Sequence, residues 1–284
     1  MTQFIKTVGV VGAGTMGNGI AQSFAQAGFT VRLVDVAPAM LDRARASIDR
    51  SLAKFVEKGK LSAADKDATL GRLSTDSALT ALADADYVVE AIVEDAAAKR
   101  ALFTQLDSIA RPDVILASNT SSIPISTLAA VTERADRVLG MHFMNPVPLM
   151  ALVEVIRGEQ TSDASMRVAF DLCTALGKTA VESADRPGFI ANRVLMPMIN
   201  EAIYAVHERV GTREAIDTVM KLGMNYPMGP LTLADFIGLD VCLAILHVLR
   251  DGFGDPKYTP CPLLEQLVAA GKLGRKSGEG FYKY

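Results

Sequence analysis

A glycine-rich segment between two apolar runs restricts the fold of this chain more than any other feature. The β-branched run Thr7–Val11 leads into GAGTMG (12–17), and a helical pattern begins there. The next apolar run, Thr30–Val34, ends in Asp35, 35 − 17 = 18 residues beyond the third glycine. Strand, glycine pattern, helix and terminal acid form the βαβ fingerprint of dinucleotide-binding domains. The sequence therefore predicts a mostly parallel, doubly wound α/β sheet of the Rossmann type at its N-terminal end.

Each glycine of this segment has a separate physical task. Gly12 permits the tight turn, Gly14 lets the backbone approach a pyrophosphate, and Gly17 allows the helix to pack closely on the strand. The helix N-terminus offers free N–H groups to the phosphates. We therefore expect the cofactor to contact the whole segment, which consists of Gly12, Ala13, Gly14, Thr15, Met16 and Gly17.

Asp35 predicts which dinucleotide binds. A carboxylate at the end of the second strand accepts hydrogen bonds from the adenosine ribose hydroxyls, and its charge repels a 2′-phosphate. NAD is therefore favoured over NADP. Arg32 and Arg43 lie close enough in sequence to leave NADP open as an alternative.

Length and composition indicate a globular protein of two domains. The chain has 284 residues and a formal net charge of −3, which gives no whole-chain nucleic-acid signature. Its three cysteines lie far apart and match no metal-ligand spacing. No apolar run approaches the roughly 18 residues of a membrane span, and no signal-peptide pattern precedes the first strand. We expect a cytoplasmic protein with no metal site, membrane segment or nucleic-acid partner.

The two halves of the chain differ in their patterns. Residues 1–185 predict the nucleotide-binding domain, with a charge-rich helical excursion at 40–72 that breaks near Gly59 and restarts at a cap, Ser62. Residues 186–284 predict an all-α domain for substrate binding and dimerisation. Its first helix is expected near Pro187 with Asp185 as cap. Its helical patterns cover 189–209, 212–222, 231–250 and 262–270.

Two ionisable residues interrupt apolar strands in the middle of the chain. His142 lies in Val138–Phe143, and Glu154 lies in the run 151–156, where both faces of the strand are apolar. An unpaired buried carboxylate costs several kcal/mol or takes up a proton. The turn composition of 145–148 would fold the second strand back near the first, which predicts a His142–Glu154 pair. Alone, such a pair is as compatible with a structural salt bridge as with catalysis.

Polar side chains also follow two strands of the predicted sheet. SNTSS (118–122) follows the strand 114–117, at the edge where doubly wound sheets bind ligands. Ser122 or Ser126 is a candidate cap of the next helix, so part of this cluster is expected to be structural. Glu94 and Lys99 face the same edge, or are simply exposed at a helix start.

Three further features have both a structural and a functional interpretation. Lys54, Lys58 and Lys60 cluster in the excursion, as a solvated helix end or as a site for a phosphate-rich ligand. Asn192 follows the predicted domain junction on a helix start, where it can reach an interdomain cleft. The helices carry more apolar surface than a small domain needs, which suggests either helix packing or a subunit interface.

Several segments, in order along the whole chain, resemble one family, the short-chain L-3-hydroxyacyl-CoA dehydrogenases, and most of all its bacterial 3-hydroxybutyryl-CoA dehydrogenases. One departure is Met144, where the family commonly has an aromatic residue. The segments are VGAGTMGNGIA, SNTSSI, HFMNPV with Glu154 after it, PGFIANR, GPLTLADFIGLD and GRKSGEGFY.

The resemblance implies an NAD-dependent enzyme of fatty acid metabolism that interconverts L-3-hydroxyacyl-CoA and 3-ketoacyl-CoA. His142 would be the general base, oriented by Glu154. Ser121 and Asn192 would hydrogen-bond the substrate's oxygens. The resemblance implies a homodimer through the C-terminal helices. It also implies cofactor contacts at Glu94, Lys99, Asn119, Asn145 and Lys276, and coenzyme A contacts at Ser51, Lys54 and Lys58.

Alternative functions remain compatible with parts of the sequence. A 6-phosphogluconate-type dehydrogenase would be expected to use a lysine base on the interdomain helix, where this chain has Asn192 and Arg193. A relative that acts on a free hydroxy acid such as gulonate would not require coenzyme A. A non-catalytic NAD-binding protein would bind the cofactor without turnover.

Overall fold

The computed structural model describes residues 5–284 and contains one eight-stranded sheet. The strand order is β3-β2-β1-β4-β5-β6-β7-β8, and every neighbouring pair is parallel except β6 and β7. The predicted α/β class with an all-α C-terminal part is confirmed. The strands are β1 (Thr7–Val11), β2 (Thr30–Val34), β3 (Leu73–Asp76), β4 (Tyr87–Glu90), β5 (Ile115–Ser118), β6 (Val138–Phe143), β7 (Leu152–Arg157) and β8 (Thr179–Ala184).

Helices connect most of the parallel strands and form most of the C-terminal part. They are α1 (Thr15–Gln26), α2 (Pro38–Glu57), α3 (Ala63–Gly71), α4 (Ala96–Ile109), α5 (Ile125–Ala129), α6 (Asp163–Ala175), α7 (Ala191–His207), α8 (Arg213–Thr218), α9 (Pro230–Ile237), α10 (Leu239–Phe253) and α11 (Pro262–Ala269). A π-helical segment, Val219–Gly223, extends α8.

The strand order reverses between β1 and β4. Strands β2 and β3 lie on one side of β1, and β4, β5 and β6 follow on the other. In open α/β sheets, ligands bind at such a switch point, outside the carboxyl ends of the strands. This topology brings the glycine segment after β1, Asp35 after β2 and the loop after β4 to one edge.

The chain divides into two compact units, the first ending at Arg186 and the second beginning at Pro187. Each unit has its own apolar core. The three cysteines are free and fully buried, Cys173 in the first core and Cys242 and Cys261 in the second. Burial raises the pKa of Cys173 and of Cys242 to about 12, and it also raises the pKa of Cys261.

Side-chain caps explain where several helices begin. Ser62 accepts a hydrogen bond from the backbone N–H of Asp65, as predicted, and Asp95, Ser162 and Thr212 cap α4, α6 and α8 in the same way. Such a cap satisfies one of the free N–H groups of the first turn. Two of these helices, α3 and α4, follow loops that carry candidate site residues, Lys58 and Glu94.

The cap of α5 differs from the prediction. Neither Ser122 nor Ser126 caps this helix. The carboxylate of Asp185 accepts hydrogen bonds from the N–H groups of Ile125 and Ser126 and from the Ser126 hydroxyl, at 2.7–2.9 Å. Asp185 therefore does not cap the following helix, which begins at Ala191 without a side-chain cap. Both predictions were wrong because Asp185 and the start of α5 are sixty residues apart in sequence. A local sequence pattern does not indicate so distant a partner.

The long helical pattern at 231–250 is also interrupted. Gly238 has φ +105° and separates α9 from α10, which are bent by 96° relative to each other. An L-residue rarely adopts this backbone conformation, so the glycine marks the break. In the described part of the chain, no single helix is long and apolar enough to cross a membrane, although α9 and α10 together pass that test as a bent pair.

Candidate active site

The glycine segment forms a tight turn directly after β1. Gly12 has φ +101°, and its N–H donates to the Val34 carbonyl at 2.8 Å. A Cβ placed on Gly17 would lie 1.7 Å from the Gly12 carbonyl oxygen, so only glycine lets α1 start this close to the strand. A Cβ on Gly14 would meet no atom within 4 Å. The backbone at Gly14 therefore faces open space, as the close approach of a pyrophosphate requires.

The cavity beside this turn has a volume of about 520 Å³, within the range usual for small-molecule and cofactor sites. Gly12, Gly14 and Asp35 line its polar side, and apolar residues such as Ile92 and Leu102 line the rest. These residues fit a dinucleotide with a pyrophosphate at the turn and its ribose near the carboxylate. Bound there, NAD would be held mainly by backbone N–H groups and by Asp35.

Asp35 is fixed by two backbone hydrogen bonds. One carboxylate oxygen accepts from the N–H of Ala13 at 2.8 Å and the other from the N–H of Ala37 at 2.9 Å. Arg32 forms a two-point ion pair with Asp84, with a Nη2–Oδ2 distance of 2.7 Å. The charge of Arg32 is thus already balanced, which removes one of the two arginines that left NADP open.

His142 and Glu154 are directly opposite each other on the antiparallel pair β6 and β7. The imidazole Nδ1 lies 2.7 Å from Glu154 Oε2, and the two residues are 8% and 2% exposed. The predicted pair is therefore present. Because Glu154 holds Nδ1, the ring is oriented with Nε2 on its opposite side, which is the arrangement of a positioned general base.

Glu94 organises the loop after β5. Its Oε1 accepts hydrogen bonds from the Thr120 hydroxyl and from the backbone N–H and hydroxyl groups of Ser121 and Ser122, at 2.6–3.3 Å. Burial favours a higher pKa for Glu94, but the charge of Lys99 and these hydrogen bonds together lower the pKa below its usual value. Glu94 is thus an ionised carboxylate around which Ser121 is positioned.

Lys99 is not at an exposed helix start. It is 1% exposed, and its Nζ lies 2.5 Å from Glu90 Oε1 and 3.3 Å from Glu94 Oε2. Glu90 is fully buried, and its Oε2 accepts a hydrogen bond from the Ser118 hydroxyl at 2.5 Å. The sequence interpretation missed Glu90, whereas Ser118 belongs to the polar cluster 118–122 that it singled out. The available signal was the one used for Glu154, a carboxylate within an otherwise apolar strand.

The ends of β5 and β6 are joined by Asn119. Its side-chain oxygen accepts a hydrogen bond from the Phe143 N–H at 2.9 Å, which ties the loop after β5 to the strand that carries His142. The turn that follows β6 contains Asn145, which is exposed. Lys178 donates to the carbonyls of Val147 and Met150 at 2.7 Å each and so holds this turn.

The structure brings the predicted coenzyme A residues into one cavity of about 320 Å³. Ser51, Lys54 and Lys58 line it from α2 and its C-terminal end. Apolar side chains of the turn after β6 line the opposite side. The remaining lining residues are Ser47, Arg50, Phe55, Lys60, Pro146, Pro148 and Leu149. Cationic groups beside apolar surface suit a ligand that carries phosphates and an aromatic base.

Asn192 and Lys276 lie in the second unit. Asn192 is 8% exposed in the first turn of α7. Lys276 pairs with Asp240, with N–O distances of 2.5 and 2.7 Å. Their predicted contacts with substrate and cofactor stay predictions.

Comparison with known proteins identifies what this arrangement resembles. Residues 7–186 match the model of the NAD-binding domain of 3-hydroxyacyl-CoA dehydrogenases, and residues 188–284 match the model of their C-terminal domain. A probable 3-hydroxybutyryl-CoA dehydrogenase of Deinococcus radiodurans is 59% identical over 97% of this chain and 99% of its own length. Its counterpart in Bacillus subtilis is 56% identical over 99% of this chain and 98% of its own.

A solved structure agrees with these relatives. The crystal structure of (S)-3-hydroxybutyryl-CoA dehydrogenase from Ralstonia eutropha has 50% sequence identity and a TM-score of 0.96, and the match covers 99% of each chain. The likeness therefore extends over both units, each with its own fold.

Proposed function

This chain belongs to the 3-hydroxyacyl-CoA dehydrogenase family and uses NAD, and we propose how its residues oxidise an L-3-hydroxyacyl-CoA to the 3-ketoacyl-CoA and catalyse the reverse reaction. The substrate pair we propose is 3-hydroxybutyryl-CoA and acetoacetyl-CoA, because the similar proteins described above are named as 3-hydroxybutyryl-CoA dehydrogenases. The observation that carries the proposal is the buried His142–Glu154 pair.

His142 is the general base of the proposed mechanism. Its Nε2 takes the proton of the substrate's 3-hydroxyl while the hydrogen on C3 leaves as hydride, and the C3–O bond becomes a carbonyl. NAD, when bound, supplies the hydride acceptor. In the reductive direction, the same nitrogen returns the proton to the oxygen. Nε2 of His142 thus carries the transferred proton in both directions of the reaction.

Glu154 stabilises the charged imidazole that this transfer creates. Its carboxylate lies 2.7 Å from Nδ1 in a buried setting, where a charged partner acts more strongly than in water. The contact also fixes the tautomer, since Nδ1 carries its proton towards Glu154 and Nε2 is the basic atom. The pair therefore does more than cancel one buried charge.

Substrate and cofactor contacts are proposed at four further groups of residues. Ser121 and Asn192 would donate hydrogen bonds to substrate oxygens, and Lys276 would approach the cofactor. Glu94, Lys99, Asn119 and Asn145 would line the nicotinamide and ribose end of the cofactor site. The cavity lined by Ser51, Lys54 and Lys58 would take the phosphates and adenine of coenzyme A.

We also propose a cytoplasmic homodimer. The three unpaired, buried thiols favour a reducing compartment. Most of the large apolar side chains that the structure leaves exposed lie in the second unit, for example Val210, Leu222 and Met224 at 77%, 81% and 60% exposure. Exposed apolar patches of this kind mark protein interfaces. Light scattering after gel filtration tests the mass, and Leu222→Asp should shift it towards the monomer.

The rate of NADH oxidation with acetoacetyl-CoA tests the reaction directly. Parallel reactions with NADPH and with free acetoacetate separate the cofactor and the thioester handle. Rapid turnover only with NADH and the thioester is the expected result. Tight NADH binding without turnover of any thioester would contradict the proposed reaction, and turnover of free acetoacetate at the same rate would contradict the proposed coenzyme A site.

A further inference from the structure

Three charged side chains, two of them buried and the third partly exposed, lie at the carboxyl ends of β4 and β5. Glu90 is the last residue of β4 and lies opposite Ser118, the last residue of β5. Glu90 is 0% exposed and Lys99, on α4, is 1% exposed. Glu94 lies beyond Lys99, in the loop between β4 and α4. Buried charges are costly unless paired, so this arrangement needs an explanation beyond packing.

One carboxylate would be enough to balance Lys99, yet the lysine lies between two. Its closer partner is Glu90, at 2.5 Å, and its more distant partner is Glu94, at 3.3 Å through Oε2. Glu90 is in turn held by the N–H of Ile92 at 2.7 Å and by the Ser118 hydroxyl. The position of the ammonium group is therefore set by Glu90.

The second carboxylate is left to hold the loop after β5. Glu94 Oε1 accepts from Thr120, Ser121 and Ser122, including both the N–H and the hydroxyl of Ser121. An ammonium group without Glu90 would move towards Glu94 and compete with these donors for its oxygens. The orientation of Ser121 would thus depend on Glu90 through Lys99 and Glu94.

We propose that Glu90 is a positioning residue of the active site, which acts by retaining Lys99 so that Glu94 can orient Ser121 towards the substrate. Glu90 contacts no reacting group in this proposal. Ser118 assists by holding the other oxygen of Glu90, and its hydroxyl also accepts from the Thr120 N–H at 3.1 Å. The inference deepens the proposed function and rests on the role of Ser121 in it.

The test is the substitution Glu90→Gln, which keeps the shape of the side chain and removes its charge. We expect kcat/KM for acetoacetyl-CoA to fall about 10- to 100-fold, the scale on which small misplacements act. In the Ser121→Ala background, the same substitution should cost little more, because the group it positions is gone. A purely structural role would instead give the same loss in both backgrounds.

A second ion pair on α4 provides a matched control. Asp107 pairs with Arg134 at 2.6 Å, with side chains 14% and 8% exposed. Their side-chain hydrogen bonds involve Glu133 and the segment 107–114, and not the loop after β5. Asp107→Asn and Glu90→Gln should both lower the melting temperature, but Asp107→Asn should leave turnover per folded molecule unchanged. Equal turnover of the two variants would overturn the proposal.

Two further variants, Ser118→Ala and His142→Ala, complete the test. If Glu90→Gln does not fold, Ser118→Ala removes a partner of Glu90 without removing a charge, and its loss of turnover should likewise disappear in the Ser121→Ala background. Additive losses would overturn the proposal. His142→Ala, measured beside them, separates the two levels: full activity in that variant contradicts the proposed function, whereas its inactivity beside a normal Glu90→Gln contradicts only the role of Glu90.

Discussion

The parallel and antiparallel parts of the sheet carry their candidate functional side chains in different places. In the parallel part, they follow the strands, as Gly14, Asp35 and Glu94 do. In the antiparallel pair, His142 and Glu154 lie inside β6 and β7 and meet because they are opposite each other in register. The parallel part thus presents loops and backbone N–H groups, and the antiparallel pair presents two side chains at a fixed separation.

The difference has a physical cause. Parallel strands all end at one edge, so the loops after them can surround a large ligand and adjust to it. Antiparallel neighbours place two side chains across from each other, and a shift of one residue in register would turn His142 or Glu154 to the other face. A large cofactor therefore suits the loops, and a proton transfer that needs one exact distance suits the strand pair.

The largest expected effect tests the strand pair. His142→Ala should lower kcat by about 10²- to 10⁴-fold, the contribution of a general acid-base, and should leave NADH binding intact because the cofactor residues lie elsewhere in the sheet. Stopped-flow or steady-state NADH oxidation gives kcat, and NADH fluorescence gives the dissociation constant. His207→Ala, on an exposed residue of α7, is the control. If NADH affinity fell by the same factor as kcat, the antiparallel pair would also serve cofactor binding, and the two parts of the sheet would not differ in function.

The next effect separates two glycines within the parallel part. Gly17→Ala should destabilise the fold by about 1–3 kcal/mol or more, because its Cβ would overlap the Gly12 carbonyl. Gly14→Ala should fold normally, since the new methyl group meets open space, and should weaken NADH binding. Thermal unfolding and NADH titration measure the two quantities. Equal stability losses would show that both glycines serve only the turn.

A smaller effect concerns the choice of dinucleotide. Asp35→Asn keeps an acceptor for only one of the Ala13 and Ala37 N–H groups, because the amide nitrogen replaces the other oxygen, and it removes the charge that repels a 2′-phosphate. The preference for NADH over NADPH should fall by about tenfold, the equivalent of roughly 1.4 kcal/mol. The ratio of kcat/KM for the two cofactors is the measurement, with Asp67→Asn on exposed α3 as control. An unchanged ratio would assign the discrimination to another residue.

The smallest effect is the pH dependence that Glu94 gives to stability. Its pKa in the folded protein lies below the ordinary value of 4.5, so its contribution is present above that value and is lost as the pH falls through the folded pKa. Urea unfolding of the wild type and of Glu94→Gln, followed downward from about pH 6, should therefore give curves that converge in acid. Curves that stay parallel would contradict this assignment.

Much of the site could be predicted because its signals are local. The glycine segment and Asp35 belong to one short motif, and Glu154 breaks a strand that is otherwise apolar on both faces. Glu90 carried the same signal in the run 87–92 and was missed because its charged partner is on no adjacent strand; Lys99 reaches it from α4. Asp185 could not have been assigned, because its partners at Ile125 and Ser126 come together only in the folded sheet.

The reactivity of the three buried thiols can report on the unfolding of the protein. Thiolates react with alkylating reagents, and a thiol that is buried with a raised pKa is protected from them until its surroundings open. Cys173 reports on the first unit, and Cys242 and Cys261 report on the second. Mass spectrometry after timed alkylation would therefore measure how fast each unit opens. No reporter group has to be introduced into the chain.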